Sequence, residues 1–123
     1  MAAQKPRSKW LADAGHALIE ARQYGAAKAL LDQAAADSAA RFAGFDLDRA
    51  IAAFHAAGEG AESAGVGLKA LGAVPAANRG ASYYLARAEM LDAKGDRAGA
   101  IAALRDGVQA AAVVTDAHSG SVL

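Results

Sequence analysis

Three histidines, His16, His55 and His118, are the residues best suited to hold a metal or move a proton. Their spacing serves neither purpose. A zinc site on one helix places two histidines a turn apart, as in His-x-x-x-His or the HExxH arrangement, and no two of these histidines lie that close. His16 and His55 meet Asp48 or Glu20 only if the fold brings distant segments together, so no physiological metal site is expected. Gly65, Gly67 and Ala70 have the spacing of a dinucleotide fingerprint, but they follow a turn and not a strand. Gly60 and Gly65 have phosphate-loop spacing with no lysine after them. Asp46 and Asp48 are too few for a calcium loop. No serine sits in a nucleophile elbow, and there is no cysteine to act as thiolate or ligand. The expectation is a protein that is not an enzyme and carries neither metal nor cofactor.

The elements around these residues read as six helices. The first spans residues 8–22, with Ser8 as N-cap and Trp10, Leu11, Ala14, Leu18 and Ile19 on one face. The second spans 26–38 and the third 46–57, linked through a segment anchored by Phe42 and Phe45. The fourth spans 61–73 and stops before Pro75, although Gly65, Gly67 and Gly72 each cost about 1 kcal/mol against alanine. The fifth spans 80–94 and the sixth 97–112, with Ala100, Ile101, Leu104 and Val108 read as inward. The first seven residues read as a polar lead, and 113–123 as a frayed tail. No stretch alternates with a two-residue period, so no sheet is expected.

The helices pair into three similar units, over about residues 8–43, 44–79 and 80–112. A period in this range marks helical repeats. Their turns align at Arg22-Gln23-Tyr24, Gly58-Glu59-Gly60 and Gly95-Asp96-Arg97, each followed by a small residue, Ala27, Ser63 or Ala100. Hydrophobic residues make up 54% of the 123, much of it alanine, and aromatics only 6%. Alanine favours helix and lets helices approach closely, but buries little area. A thin core of stacked helix pairs follows.

This pattern resembles the tetratricopeptide repeat. The first unit matches the family at Leu11, Ala14, Gly15, Leu18, Ala27, Leu31 and Ala34. The second matches at Leu47, Ala50, Phe54, Ser63 and Ala70, with Pro75 where the family places its proline. The third, the most family-like, matches at Tyr84, Ala88, Leu91, Ala100 and Leu104. Gly67 stands where the family carries a large residue, and Ile51 where it carries a small one. Similar runs occur within longer arrays of bacterial members, so an excised or reduced array is one expectation. The resemblance implies an all-α solenoid of three helix-turn-helix repeats and a role in binding protein.

It also implies a concave face lined by the first helix of each pair. That face would present Lys9, His16 and Glu20, then Phe45, Asp48 and His55, then Ser82, Leu85, Glu89 and Asp92. Its acidic and apolar character suits a basic or amphipathic peptide. A second surface follows from the chain ends. Solenoids need polar caps, yet Trp10 and Leu11 open the first helix, and Leu104, Val108, Val113 and Val114 lie on or just after the last. Poorly capped ends can stack head to tail, and such a contact builds an oligomer or filament. The expected function is therefore an interaction scaffold that assembles with itself; the alternative is a monomeric groove for a peptide.

Partners other than protein are disfavoured. The 13 basic and 13 acidic residues balance and are interspersed, without the basic excess of a nucleic-acid binder. No run approaches the roughly 20 apolar residues that span a bilayer. The polar start, with Lys5, Arg7 and Lys9 and no apolar core behind it, reads as no signal peptide. A cytoplasmic location is the default expectation, or an exported one if a leader was removed.

Overall fold

The computed structural model describes the backbone of residues 4–36 and 44–122, and side chains over 9–36 and 44–112. Among the described residues the chain is all-α, with six helices and no strand: α1 (Gln4–Glu20), α2 (Tyr24–Ala34), α3 (Phe45–Ala56), α4 (Ala61–Leu71), α5 (Ala81–Lys94) and α6 (Arg97–Val122). A single 3-10 turn, Ala76–Asn78, follows Pro75. Phe42, read above as an anchor, lies outside the described residues.

Three helical hairpins form, α1–α2, α3–α4 and α5–α6, and their turns are built alike. In the first, Gln23 N–H donates to Leu18 C=O and Arg22 N–H to Ile19 C=O. In the second, Glu59 donates to Phe54 and Gly58 to His55; in the third, Asp96 donates to Leu91 and Gly95 to Asp92. This paired bonding is the Schellman end of a helix, which needs one left-handed residue. Gly58 (φ 111°) and Gly95 (φ 95°) supply it at low cost, whereas Arg22 (φ 62°) supplies it in the first hairpin.

The hairpins stack in chain order. α3 packs on α1 and α2, and α5 packs on α3 and α4, an arrangement consistent with a helical repeat. The core lies between the hairpins. Leu11, Leu31, Ala34, Phe45 and Ala52 fill the first junction. Phe54, Leu71, Val74, Tyr83 and Met90 fill the second. Burying each large side chain stabilises by about 1.5–3 kcal/mol. Arg79 ties the link between the second and third hairpins. Its Nε donates to Val74 C=O at 3.0 Å, and its guanidinium lies 5.0 Å from the centre of the Tyr83 ring.

Two helix ends differ from the sequence reading. α1 begins at Gln4, so Ser8 is inside the helix and not its cap. Pro6 allows this, because the first-turn N–H groups have no intrahelical partner in any case. α6 continues to Val122, through residues read as a frayed tail, since no proline interrupts it.

Gly67 resolves a departure noted above. A Cβ there would stand 2.8 Å from Met90 Sδ and 3.0 Å from Phe54 Cβ. The missing side chain of α4 is replaced by Met90 of α5, which is 1% exposed.

Candidate functional site

A cleft of about 730 Å³ opens between α3, α5 and α6. Ile51 and His55 of α3 form one wall and Leu85, Glu89 and Asp92 of α5 the floor. Ile101 and Leu104 of α6 form the other wall, and Tyr24 of α2 closes one end. Of the sequence-predicted groove residues, the structure brings His55, Ser82, Leu85, Glu89 and Asp92 together here.

His55 organises the acidic rim. Its ring stacks on Tyr24 with centroids 4.0 Å apart and planes at 18°, and meets Phe54 edge-on. Nδ1 pairs with Glu59, one turn beyond, and Nε2 lies 3.5 Å from Glu89 Oε1 across on α5. Asp92 lies 4.0 Å from Arg97, an exposed and weak pair. The cleft thus combines the apolar side chains of Ile51, Leu85, Ile101 and Leu104 with the acidic Glu89 and Asp92, and Arg97 stands beside them.

Other predicted residues lie elsewhere. Lys9 is exposed on α1, away from the cleft lining. Phe45 is not on an open face: it is fully buried between the first two hairpins. Asp48 is also buried. The cause is common to both. α3 is the middle first-helix, so the side it turns toward α1 and α2 is covered. Leu11, assigned to a free end, is likewise in the core at 8% exposure, because it packs toward α2 and α3. Trp10, Leu104 and Val108, also assigned to the ends, are exposed. The side chains of Val113, Val114 and His118 lie outside those described.

His16 and Asp48 form a second carboxylate–imidazole pair. Nδ1 lies 2.8 Å from Asp48 Oδ2 and Nε2 3.1 Å from Glu20 Oε1. The hydrogen bond to Asp48, opposed by partial burial, holds the imidazole above its ordinary value. Burial pushes the Asp48 carboxyl up more than His16 brings it down. At the same junction Asp32 of α2 accepts from Arg49 of α3 at 3.0 Å and from Lys28 at 2.8 Å. Burial pushes Asp32 up, but these two cations outweigh it and the carboxyl is lowered.

Sequence reasoning missed Tyr24, which it read as part of a turn, and assigned Ile101, Leu104 and Val108 inward although they are 52%, 45% and 69% exposed. Ile101, Leu104 and Val108 recur at helical spacing, which marks an apolar stripe but not whether a neighbour covers it. Among the described residues no three His, Asp or Glu side chains are arranged to hold a metal, and no helix is long and apolar enough to cross a membrane. No protein-family model, curated protein or solved structure matches the chain.

Proposed function

We propose that the protein is a non-enzymatic interaction scaffold, built from tetratricopeptide-like repeats, that receives a helix of a protein partner on the open side of α5 and α6. The observation that carries this reading is the exposure of Leu85, Ile101, Leu104 and Val108 at the end of the stack. Leu85, Ile101 and Leu104 line one cleft, and exposed apolar side chains grouped beside polar ones are typical of a binding surface. At the two junctions within the chain, the corresponding side of each hairpin carries the next helix. Glu89 and Asp92 in the cleft lining favour a helix with basic residues beside its apolar stripe.

The test uses a labelled amphipathic helical peptide with a leucine stripe flanked by lysines, and a second in which glutamates replace the lysines. Anisotropy titration with the full chain should show the basic peptide binding at least about tenfold more tightly. Leu85→Asp should abolish the binding. Equal binding of both peptides, or undiminished binding by Leu85→Asp, would overturn the reading.

A further inference from the structure

The two junctions inside the chain are templates for a third. Equivalent positions follow from the aligned residues Leu11, Leu47 and Tyr84 on the first helices, and Ala27, Ser63 and Ala100 on the second. At the second junction Tyr83, just before Tyr84, is buried in the same core cluster as Ala64 and Leu71 of α4. The residue equivalent to Tyr83 on α1 is Trp10, and it is 64% exposed. The residues equivalent to Ala64 and Leu71 on α6 are Ile101 and Val108, and they are 52% and 69% exposed. α1 and α6 therefore expose the residues whose equivalents at the second junction are buried in one core.

The charges follow the same template. At the first junction Arg49 of α3 bridges to Asp32 of α2. The equivalents of these two are Asp13 on α1 and Arg105 on α6. The signs are exchanged, and the pair remains complementary. Both side chains are exposed, and neither forms a salt bridge among the described residues.

We infer that the helix received by the α5–α6 face is α1 of a second copy of this chain, with Trp10 seated against Ile101 and Val108 and Asp13 paired with Arg105. This rests on the reading of that face as a helix-binding surface and names its occupant. The contact is heterologous, so every added copy brings a new open face and assembly continues until it closes into a ring or extends as a filament.

The test follows the full chain by sedimentation velocity and by the emission of Trp10, its single tryptophan. With rising concentration the mass should pass beyond a dimer, and the emission should shift to the blue as Trp10 leaves water. Trp10→Asp blocks one face and Val108→Asp the other, and both sites are exposed enough to leave the fold intact, which circular dichroism checks. Each variant alone should be monomeric, and the two mixed should give a one-to-one dimer and nothing larger. Asp13→Arg should weaken association by about tenfold or more, and adding Arg105→Asp should restore most of it. A monomer at every concentration would overturn the inference. So would a dimer that Trp10→Asp leaves intact, which would mean two α5–α6 faces meeting each other. If the monomer still binds the basic helical peptide, the helix-binding reading stands and only its occupant is wrong; if it binds neither, both fall.

Discussion

Met90 of α5 occupies the space that a side chain on Gly67 of α4 would need. An added Cβ would lie 2.8 Å from the Met90 sulfur and 3.0 Å from Phe54 Cβ. The methionine end can turn aside, but Phe54, 2% exposed, is fixed in the same core. Gly67→Ala gains up to about 1 kcal/mol of helix propensity and sets it against overpacking worth about 1–3 kcal/mol. The expected outcome is a net loss of about 1 kcal/mol in urea denaturation. Shortening Met90 to valine alongside should recover part of that loss, so the two changes should be non-additive. A Gly67→Ala variant more stable than the parent would show that the close approach of α4 and α5 is wrong.

Arg22 holds the left-handed turn position that glycine holds in the other two hairpins. A side chain there costs about 1–2 kcal/mol, partly offset by the greater freedom glycine brings to the unfolded chain. Arg22→Gly should therefore stabilise the protein by up to about 1 kcal/mol, read as a rise in the denaturation midpoint at unchanged slope. Gly95→Ala should do the opposite by a similar amount. Both shifts depend on the turns having the same geometry.

The pairing of helices was legible because the chain punctuates itself at Gly58, Gly95 and Pro75, where a helix must turn or stop. The first turn reads from Gln23-Tyr24-Gly25, but Gly25 lies inside α2 and the left-handed residue is Arg22. The sides of the helices were less legible. Phe45 and Leu85 both lie on first helices and both read as groove residues. One is buried and the other open, because α3 has a hairpin on each side and α5 has one on its α3–α4 side only. Periodicity marks the apolar stripe of a helix; it does not say whether a neighbour arrives to cover it. Tyr24 escaped notice for a related reason: its partner His55 belongs to another hairpin, and nothing local predicts that stack.

The His16–Asp48 pair makes stability depend on pH. His16 is raised above its ordinary value of 6.5, chiefly by its hydrogen bond to Asp48. Its stabilising contribution is therefore complete below pH 6.5 and is lost as pH rises through the raised value. Asp48 is raised above 3.8, chiefly by burial, so stability also declines as pH climbs from there through its own raised value. The His16 window opens at pH 6.5, so the protein should be more stable near pH 6 than near pH 8; the Asp48 change has the same sign over its own window above pH 3.8. His16→Gln should flatten that difference, and Asp48→Asn, which removes the main cause of the His16 shift, should flatten it too. Urea midpoints at the two pH values give the comparison, and an unchanged slope in His16→Gln would assign the effect to other groups.

Phe45 and Leu85 separate core from binding surface. Phe45 is fully buried and Leu85 is 60% exposed. Phe45→Ala leaves a cavity between the first two hairpins and should cost about 3–5 kcal/mol, enough to consume much of the stability of a domain of this size. Leu85→Ala removes a side chain that solvent already reaches, and should change stability by no more than about 0.5 kcal/mol. Its effect should appear instead in association, where the apolar floor of the cleft is covered. Thermal denaturation at low protein concentration gives the first quantity, and sedimentation at high concentration the second. If Leu85→Ala lost stability without altering association, Leu85 would be packed within its own chain, and the α5–α6 face would no longer serve as a docking surface.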